Sequence, residues 1–154
     1  MDMPIASDQP VTGIDVHSLP RADGELMLRR QLAAAYRLVD HFGWTDTIDT
    51  HMTVRIPGEP NCFLINNYGD LFHEITASNL VKMDLDGKVY SEDGRFNAAG
   101  FTIHSGVYKA RPDANCVMHT HTRAGTGVSV LKKGIRPISQ DALSVYDDLV
   151  YHEY

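Results

Sequence analysis

The sequence predicts a domain of the α/β or α+β class, because helical and strand patterns alternate along the chain. Between Glu25 and Phe42 apolar residues recur every three or four positions, which is typical of an amphipathic helix. From His51 to Ile56 apolar and polar residues alternate, which predicts a half-buried strand. A second helical pattern, Gly100 to Lys109, follows the strand-like runs. This interleaving leaves both classes open.

Local signals predict the remaining elements. Gly43 ends the first helix, Pro57-Gly58 stops the first strand, and Asp86-Gly87 is a strong hairpin signal. The further predictions are an arm over 1–24, a domain over 25–154, a strand at 61–65, a turn at 66–69, a tight turn at 85–90 that enters another strand, and a strand that begins at 149. Short helices are predicted to start at Thr76, Thr122 (ended by Gly134) and Ser139.

Composition excludes several classes of protein. The chain has 154 residues, 43% of them hydrophobic, and a formal charge of −6, which argues against a nucleic-acid partner. No apolar stretch approaches the length of a membrane span, and the first residues do not resemble a signal peptide. Cys62 and Cys116 lie in apolar strand-like runs, so we expect buried reduced thiols and a cytoplasmic location.

Two histidines form the main candidate site. An apolar run that follows Pro112 reads as a strand and ends in His119-Thr120-His121. Residues i and i+2 of a strand share a face, so the two imidazoles could take two positions on one divalent metal, with zinc the default. A metal-free, hydrogen-bonded pair at a strand end is the alternative. His104 lies on an apolar helix face and is interpreted as a satisfied core residue.

Several segments resemble the class II aldolase/adducin family, and most closely its adducin-like bacterial branch. The match runs from about residue 25 to 154 with its segments in order, and corresponds to the N-terminal two-thirds of the family domain. The matching segments are Gly43–Asp46, His51–Arg55, Glu74–Ser78, Val81–Gly87, Gly100–Ser105, Ala110–Ala114 and His119–His121.

The resemblance implies a three-layer α/β/α fold around a mostly antiparallel sheet, incomplete in this chain, and assembly as a homotetramer. It also implies Zn²⁺ or another divalent ion bound by three histidines, of which His119 and His121 match the first two. The family's third histidine lies beyond Tyr154, and His152 does not match its motif. We therefore expect an incompletely coordinated metal and no turnover from these residues alone.

Three departures from the family pattern bear on the substrate. Gly100 replaces the catalytic carboxylate of the sugar-phosphate aldolases, and no catalytic residue is assigned in its place; His51 and Tyr68 are the nearest candidates for acid–base work. Ala98-Ala99 replaces a pair of serines of the phosphate site. The other positions of that phosphate site hold His51, Asn67 and Tyr68 in this chain. These residues are predicted to bind substrate, and they disfavour a phosphorylated sugar.

Two functions follow from the resemblance. The first is a metal-dependent carbon–carbon lyase that cleaves or decarboxylates an unphosphorylated carbonyl or hydroxy-acid substrate. The alternative is a non-catalytic adducin-like assembly or binding module. The acidic, compact chain lacks adducin's long basic tail, which argues against cytoskeletal work. We expect a small-molecule substrate, a homo-oligomer, and neither nucleic acid nor membrane as partner.

Overall fold

The computed structural model describes residues 15–152. Short 3-10 turns at Val16–Ser18 and Phe72–Glu74 accompany the longer elements. These longer elements are α1 (Arg21–His41), β1 (His51–Ile56), β2 (Glu59–Ile65), β3 (Val81–Asp84), α2 (Ala98–Ala110), β4 (Cys116–His119), α3 (Arg123–Ser129) and α4 (Gln140–Tyr146). The mixed α/β class is confirmed.

The strands form one antiparallel sheet in the order β3-β2-β1-β4. β1 is central and pairs with both β2 and β4. Its register places His51 opposite His119 and Thr53 opposite Val117. Opposed residues of an antiparallel pair project from the same face of the sheet. The pairing therefore brings one histidine of β1 beside one histidine of β4.

One helix covers each face of the sheet, which confirms the three-layer arrangement. Leu32 and Tyr36 of α1 pack with Met52 of β1 on one face. Tyr108 of α2 packs with Phe63 of β2 and neighbouring apolar residues on the other. The alternation within β1 explains the division, because Met52 points to one layer and Thr53 to the opposite one.

The first helix begins earlier than its apolar pattern indicates. α1 starts at Arg21, inside the segment predicted as an arm, and residues 1–14 of that arm lie outside the described residues. The predicted C-terminus is confirmed, since Gly43 follows the helix with φ +66°, a conformation that glycine adopts without strain.

Helix α2 carries the side chains that meet the histidines of the sheet. Its first turn is capped by Asn97, whose side chain accepts hydrogen bonds from the backbone N–H groups of Ala99 and Gly100. The helix ends at Ala110, just before the predicted stop at Pro112. His104 and Tyr108 are one turn apart, so both face the sheet.

Two strand predictions and one helix prediction are wrong. Thr76 accepts a hydrogen bond from the Asn79 N–H (3.3 Å), but this bond closes a turn and no helix follows. The strand near the Asp-Gly turn precedes it as β3, and Val89 beyond the turn makes only an isolated bridge with Met83. Residues 149–152 form no strand, and 153–154 lie outside the described residues.

The cysteine prediction holds for redox state but not for burial. Both Cys62 and Cys116 are free thiols, as expected. Cys62 is half-buried, whereas Cys116 is exposed because β4 is an edge strand whose residues are covered only in part. The apolar composition of the run around Cys116 therefore overstated its burial.

Helices α3 and α4 are capped by Thr122 and Ser139, as predicted. α3 ends at Ser129, before the expected stop at Gly134. Neither helix has a fully buried residue, and apolar side chains around them are exposed, including those of Val130 and Ile138. Among residues 15–152 no helix is long and apolar enough to cross a membrane.

Candidate active site

The two predicted metal ligands lie together at the end of β4. His119 is the last residue of the strand and His121 follows it after Thr120. Their Nε2 atoms are 2.9 Å apart, and the two rings meet edge to face. Zinc–imidazole bonds are about 2.0–2.1 Å long, so two nitrogens at this separation can reach the same ion.

A carboxylate orients one of these rings. Nδ1 of His121 lies 2.9 Å from Oδ2 of Asp46, in the loop between α1 and β1. A carboxylate accepts hydrogen bonds, so His121 carries its proton on Nδ1 and leaves the Nε2 lone pair free. This arrangement of carboxylate and imidazole is the one that supports metal-binding histidines.

The residues present fit part of a metal site. His119 and His121 supply two nitrogen donors with suitable spacing. Within residues 15–152, however, no group of three His, Cys, Asp or Glu side chains is placed to hold a metal ion. A catalytic zinc ion normally has three protein ligands, of which the described residues would supply two.

A third histidine adjoins the pair. The His51 ring is stacked on the His119 ring, with a centroid distance of 4.7 Å and an interplanar angle of 19°. The cross-strand pairing of β1 with β4 sets this stacking. His51 is 3% exposed, and its Nδ1 lies 2.8 Å from Nε2 of His104 on α2.

The contacts continue from His104 into the core. Nδ1 of His104 lies 2.6 Å from the Thr53 hydroxyl, which in turn is 2.9 Å from the Tyr108 hydroxyl. His104 is fully buried with both ring nitrogens partnered, which confirms its interpretation as a satisfied core residue. The same contacts also connect it to His51 beside the candidate metal ligands.

Burial keeps these imidazoles neutral at pH 7. Desolvation, with a smaller contribution from neighbouring histidines, lowers the pKa of His51 to about 4 and that of His104 to about 3. Burial and His121 also lower the pKa of His119. The neutral imidazole is the form that binds metals. Burial raises the pKa of Tyr108 to about 12, so its hydroxyl keeps its proton.

Gly100 makes room for the His51 ring. A Cβ atom on Gly100 would lie 2.9 Å from both Cδ2 and Nε2 of His51, closer than such contacts occur. His51 cannot move easily, because it is held between His104 and His119. The position at which the family resemblance implies a carboxylate is thus closed by an imidazole in this chain.

An open groove of about 940 Å³ adjoins the two candidate ligands. It runs from the loop of Asp46 along the start of α3, so both rings border space in which a small molecule could bind. The groove is lined by Asp46, His119, Thr120, His121, Arg123, Gly125, Thr126, Gly127 and Ser129.

The other predicted substrate-binding residues lie in the loop after β2. The Asn67 side chain donates to Asp70 in the same loop (3.1 Å) and accepts from the Arg95 N–H (3.0 Å) in the segment before α2. Tyr68 is 41% exposed. None of His51, Asn67 and Tyr68 is among the residues that line the groove, and of these three only His51 stacks on a candidate ligand.

Sequence reasoning missed Asp46, Thr53 and Tyr108. Thr53 follows His51 by two positions on a strand and Tyr108 follows His104 by one helical turn, so the two periodicities could have paired them. Asp46 is 75 residues from His121, and no local pattern links the two.

Comparison with known proteins agrees with this geometry. Residues 30–154 match the family model of the class II aldolase and adducin N-terminal domain. The chain therefore belongs to the class II aldolase/adducin family, as the sequence motifs indicated. No particular activity follows from membership, since the family includes both groups of proteins.

Relatives of both kinds are similar to this chain. A Pseudomonas aeruginosa protein named as a candidate class 2 aldolase is 49% identical over 146 residues, covering 90% of this chain and 56% of that protein. Mouse alpha-adducin is 50% identical over 134 residues, covering 85% of this chain and 18% of alpha-adducin. The chain thus spans about half the length of the bacterial relative and less of the adducin.

A solved structure supports the fold. The L-fuculose 1-phosphate aldolase from Glaciozyma antarctica superimposes with a TM-score of 0.77 and 31% sequence identity. The match covers 86% of this chain and 56% of that enzyme. The three-layer arrangement described above is accordingly that of a class II aldolase.

Proposed function

We propose that the protein acts as a divalent-metal-dependent carbon–carbon lyase of the class II aldolase type. The observation that carries this proposal is the His119–His121 pair, whose Nε2 atoms lie 2.9 Å apart beside an open groove. The Asp46 carboxylate supports it, because it leaves the Nε2 lone pair of His121 available.

His119 and His121 would hold zinc or a similar ion, with the remaining ligand supplied from outside the described residues. Such an ion polarises a carbonyl and stabilises the negative charge that develops as a carbon–carbon bond breaks. Because two imidazoles make an incomplete site, we expect these 154 residues alone to bind metal weakly and to show no turnover.

The proposed substrate is an unphosphorylated carbonyl compound or hydroxy acid. Gly100 offers no carboxylate, and Ala98 and Ala99 offer no hydroxyl groups for a phosphate. The Asn67 side chain is already engaged with Arg95 and Asp70. Of the residues predicted to bind substrate we favour His51, because its ring stacks on that of His119. The substrate-binding roles of His51, Asn67 and Tyr68 all stay predictions.

Two observations favour the second candidate function, a non-catalytic assembly module. The 50% identity to mouse alpha-adducin equals that to the bacterial relative within one percentage point. The exposed apolar side chains around α3 and α4 would suit a protein contact. A homotetramer, implied by the family resemblance, is compatible with either function.

The direct test is metal-dependent turnover in a form of the protein that supplies a third metal ligand. Zinc-loaded and chelator-treated protein would be assayed for retro-aldol cleavage and decarboxylation of a panel of unphosphorylated hydroxy acids. We expect activity only with metal, and its loss in His121→Gln. Tightly bound metal at His119 and His121 without any turnover would instead favour the assembly module.

A further inference from the structure

The direction in which the buried Tyr108 hydroxyl donates its hydrogen bond determines which ring nitrogen carries the proton in His104 and in His51. Tyr108 is 2% exposed, and in the described part of the chain its hydroxyl has one side-chain partner, Thr53. Among the described residues, the only hydrogen-bond acceptor for the phenol proton is Thr53 Oγ1, and a buried proton without an acceptor costs about 1–3 kcal/mol. Tyr108 therefore donates to Thr53.

The remaining directions follow in order. Thr53 has a single proton, and the other partner of its hydroxyl is Nδ1 of His104, 2.6 Å away. His104 must then accept on Nδ1 and carry its proton on Nε2, which lies 2.8 Å from Nδ1 of His51. His51 in turn accepts on Nδ1, so its own proton is on Nε2. If all of these hydrogen bonds ran in the opposite direction, the Tyr108 hydroxyl proton would have no acceptor among the described residues.

The last nitrogen of this series of hydrogen bonds, Nε2 of His51, belongs to a ring beside the candidate metal ligands. Nε2 of His51 has no hydrogen-bond partner within residues 15–152. It is not a fully enclosed atom, because Thr50 Oγ1 is the single buried side-chain polar atom there that lacks a partner. Nε2 lies close to Gly100 in the first turn of α2, and the His51 ring stacks on His119. An N–H group in such a place requires an acceptor.

We propose that Tyr108, Thr53 and His104 are positioning residues that hold His51 as a neutral Nε2–H donor toward an oxygen atom of the bound ligand. The inference rests on the proposed function only for naming that oxygen as part of a substrate, either a carbonyl, a hydroxyl or a carboxylate. His51 keeps its proton throughout and stabilises developing negative charge by hydrogen bonding, as a preorganised donor does. This role differs from that of the acid–base carboxylate absent at Gly100.

The tautomers can be measured directly. Protein labelled with ¹⁵N-histidine would be studied at pH 7 by two-bond ¹H–¹⁵N correlation spectra, which separate protonated from bare ring nitrogens. We expect both His51 and His104 as Nε2–H tautomers. An Nδ1–H tautomer at either residue, or an imidazolium at His104, would overturn the proposal.

A matched pair of substitutions tests the positioning role. Thr53→Val removes the hydroxyl that donates to His104, so we expect both histidines to lose their single tautomer, while Thr53→Ser restores it. Thr50→Val makes the same change at a neighbouring buried residue whose hydroxyl has no partner, and should leave both spectra unchanged. Unaltered His51 and His104 tautomers in Thr53→Val would contradict the proposal.

The result is separable from the proposed lyase function. In the form of the protein used for turnover assays, we expect Thr53→Val to lower kcat about 10- to 100-fold with metal content unchanged, and Thr53→Ser to rescue it. A kcat unaffected by Thr53→Val would overturn the donor role. If the wild-type protein shows no turnover, the lyase proposal fails. The spectra still decide whether the hydrogen bonds from Tyr108 through Thr53 and His104 fix the tautomer of His51.

Discussion

At the scale of single residues, the geometry of the site depends on a glycine, Gly100, which has no side chain. Gly100 allows the His51 ring to lie directly over the first turn of α2. With that ring in place, His51 reaches His104 on one side and His119 on the other. The position of His51 therefore depends on Gly100, because the imidazole occupies space that the side chain of a larger residue at position 100 would fill.

Gly100→Ala should destabilise the protein although alanine favours helices. Its Cβ would press on a ring that is held in place, and overpacking of this kind costs about 1–3 kcal/mol, more than the gain in helix propensity of about 1 kcal/mol. Gly106→Ala in the same helix meets nothing within 4 Å and should stabilise by about 0.5–1 kcal/mol. Urea unfolding of both variants measures the difference, and equal effects would contradict this packing.

Asp46→Asn should weaken metal binding without unfolding the protein. Asp46 is half-exposed and its recorded side-chain partner is Nδ1 of His121. Loss of such a carboxylate typically costs about 10- to 100-fold in metal affinity. Calorimetric titration with zinc measures the change, with Asp93→Asn, at a residue that does not line the groove, as the control. Unchanged affinity in Asp46→Asn would show that the carboxylate does not orient His121.

At the scale of elements, α2 and β1 position the site together. The Asn97 cap fixes where α2 begins, and thereby the height at which His104 meets the sheet. The register of β1 with β4 then decides which histidines face each other. A shift of one residue in the register of β1 with β4 would turn His51 to the opposite face of the sheet. The strand register and the Asn97 cap therefore both determine the contact between His51 and His104.

Asn97→Ala should cost about 1 kcal/mol, within the range of about 0.5–2 kcal/mol for lost N-caps. Two backbone N–H groups of α2 would lose their acceptor, and α2 packs on the core. Ser139→Ala removes the cap of α4, which has no buried residue, and should affect the unfolding free energy less. A larger loss in Ser139→Ala than in Asn97→Ala would contradict the central role assigned to α2.

Elements with a strong period could be predicted from the sequence, and contacts between distant residues could not. The alternation of His51–Ile56 and the helical period before Gly43 gave β1 and most of α1. The strand was predicted after the Asp-Gly turn, whereas β3 precedes it, because the turn signal does not indicate which of the two flanking segments forms the longer strand. His119 and His121 were predicted from their spacing, whereas their relation to Asp46 depends on the tertiary fold.

At the scale of the whole molecule, the neutral histidines make stability depend on pH. The pKa of His104 falls from 6.5 in the unfolded chain to about 3 in the folded protein. Between these values the unfolded chain binds a proton that the folded protein does not. Stability is therefore highest above pH 6.5 and falls as the solution becomes more acidic. The pKa of His51 is lowered to about 4 and acts in the same direction.

We expect the unfolding free energy to fall between pH 6.5 and pH 5 by up to about 1.4 kcal/mol per pH unit for each such histidine. His104→Gln should reduce this slope, because it removes one proton from the balance, whereas His73→Gln at an exposed position should not. Urea unfolding at several pH values gives the slopes. An unchanged slope in His104→Gln would mean that His104 is not held neutral by burial.

The most direct measurement for the central claim is a zinc titration of ¹⁵N-histidine-labelled protein, in which each ring reports its own coordination. We predict that added zinc moves the Nε2 resonances of His119 and His121 together, and that His119→Gln/His121→Gln abolishes binding while His73→Gln preserves it. Zinc binding that survives in the double variant, or saturating zinc that leaves both rings unperturbed, would contradict the account.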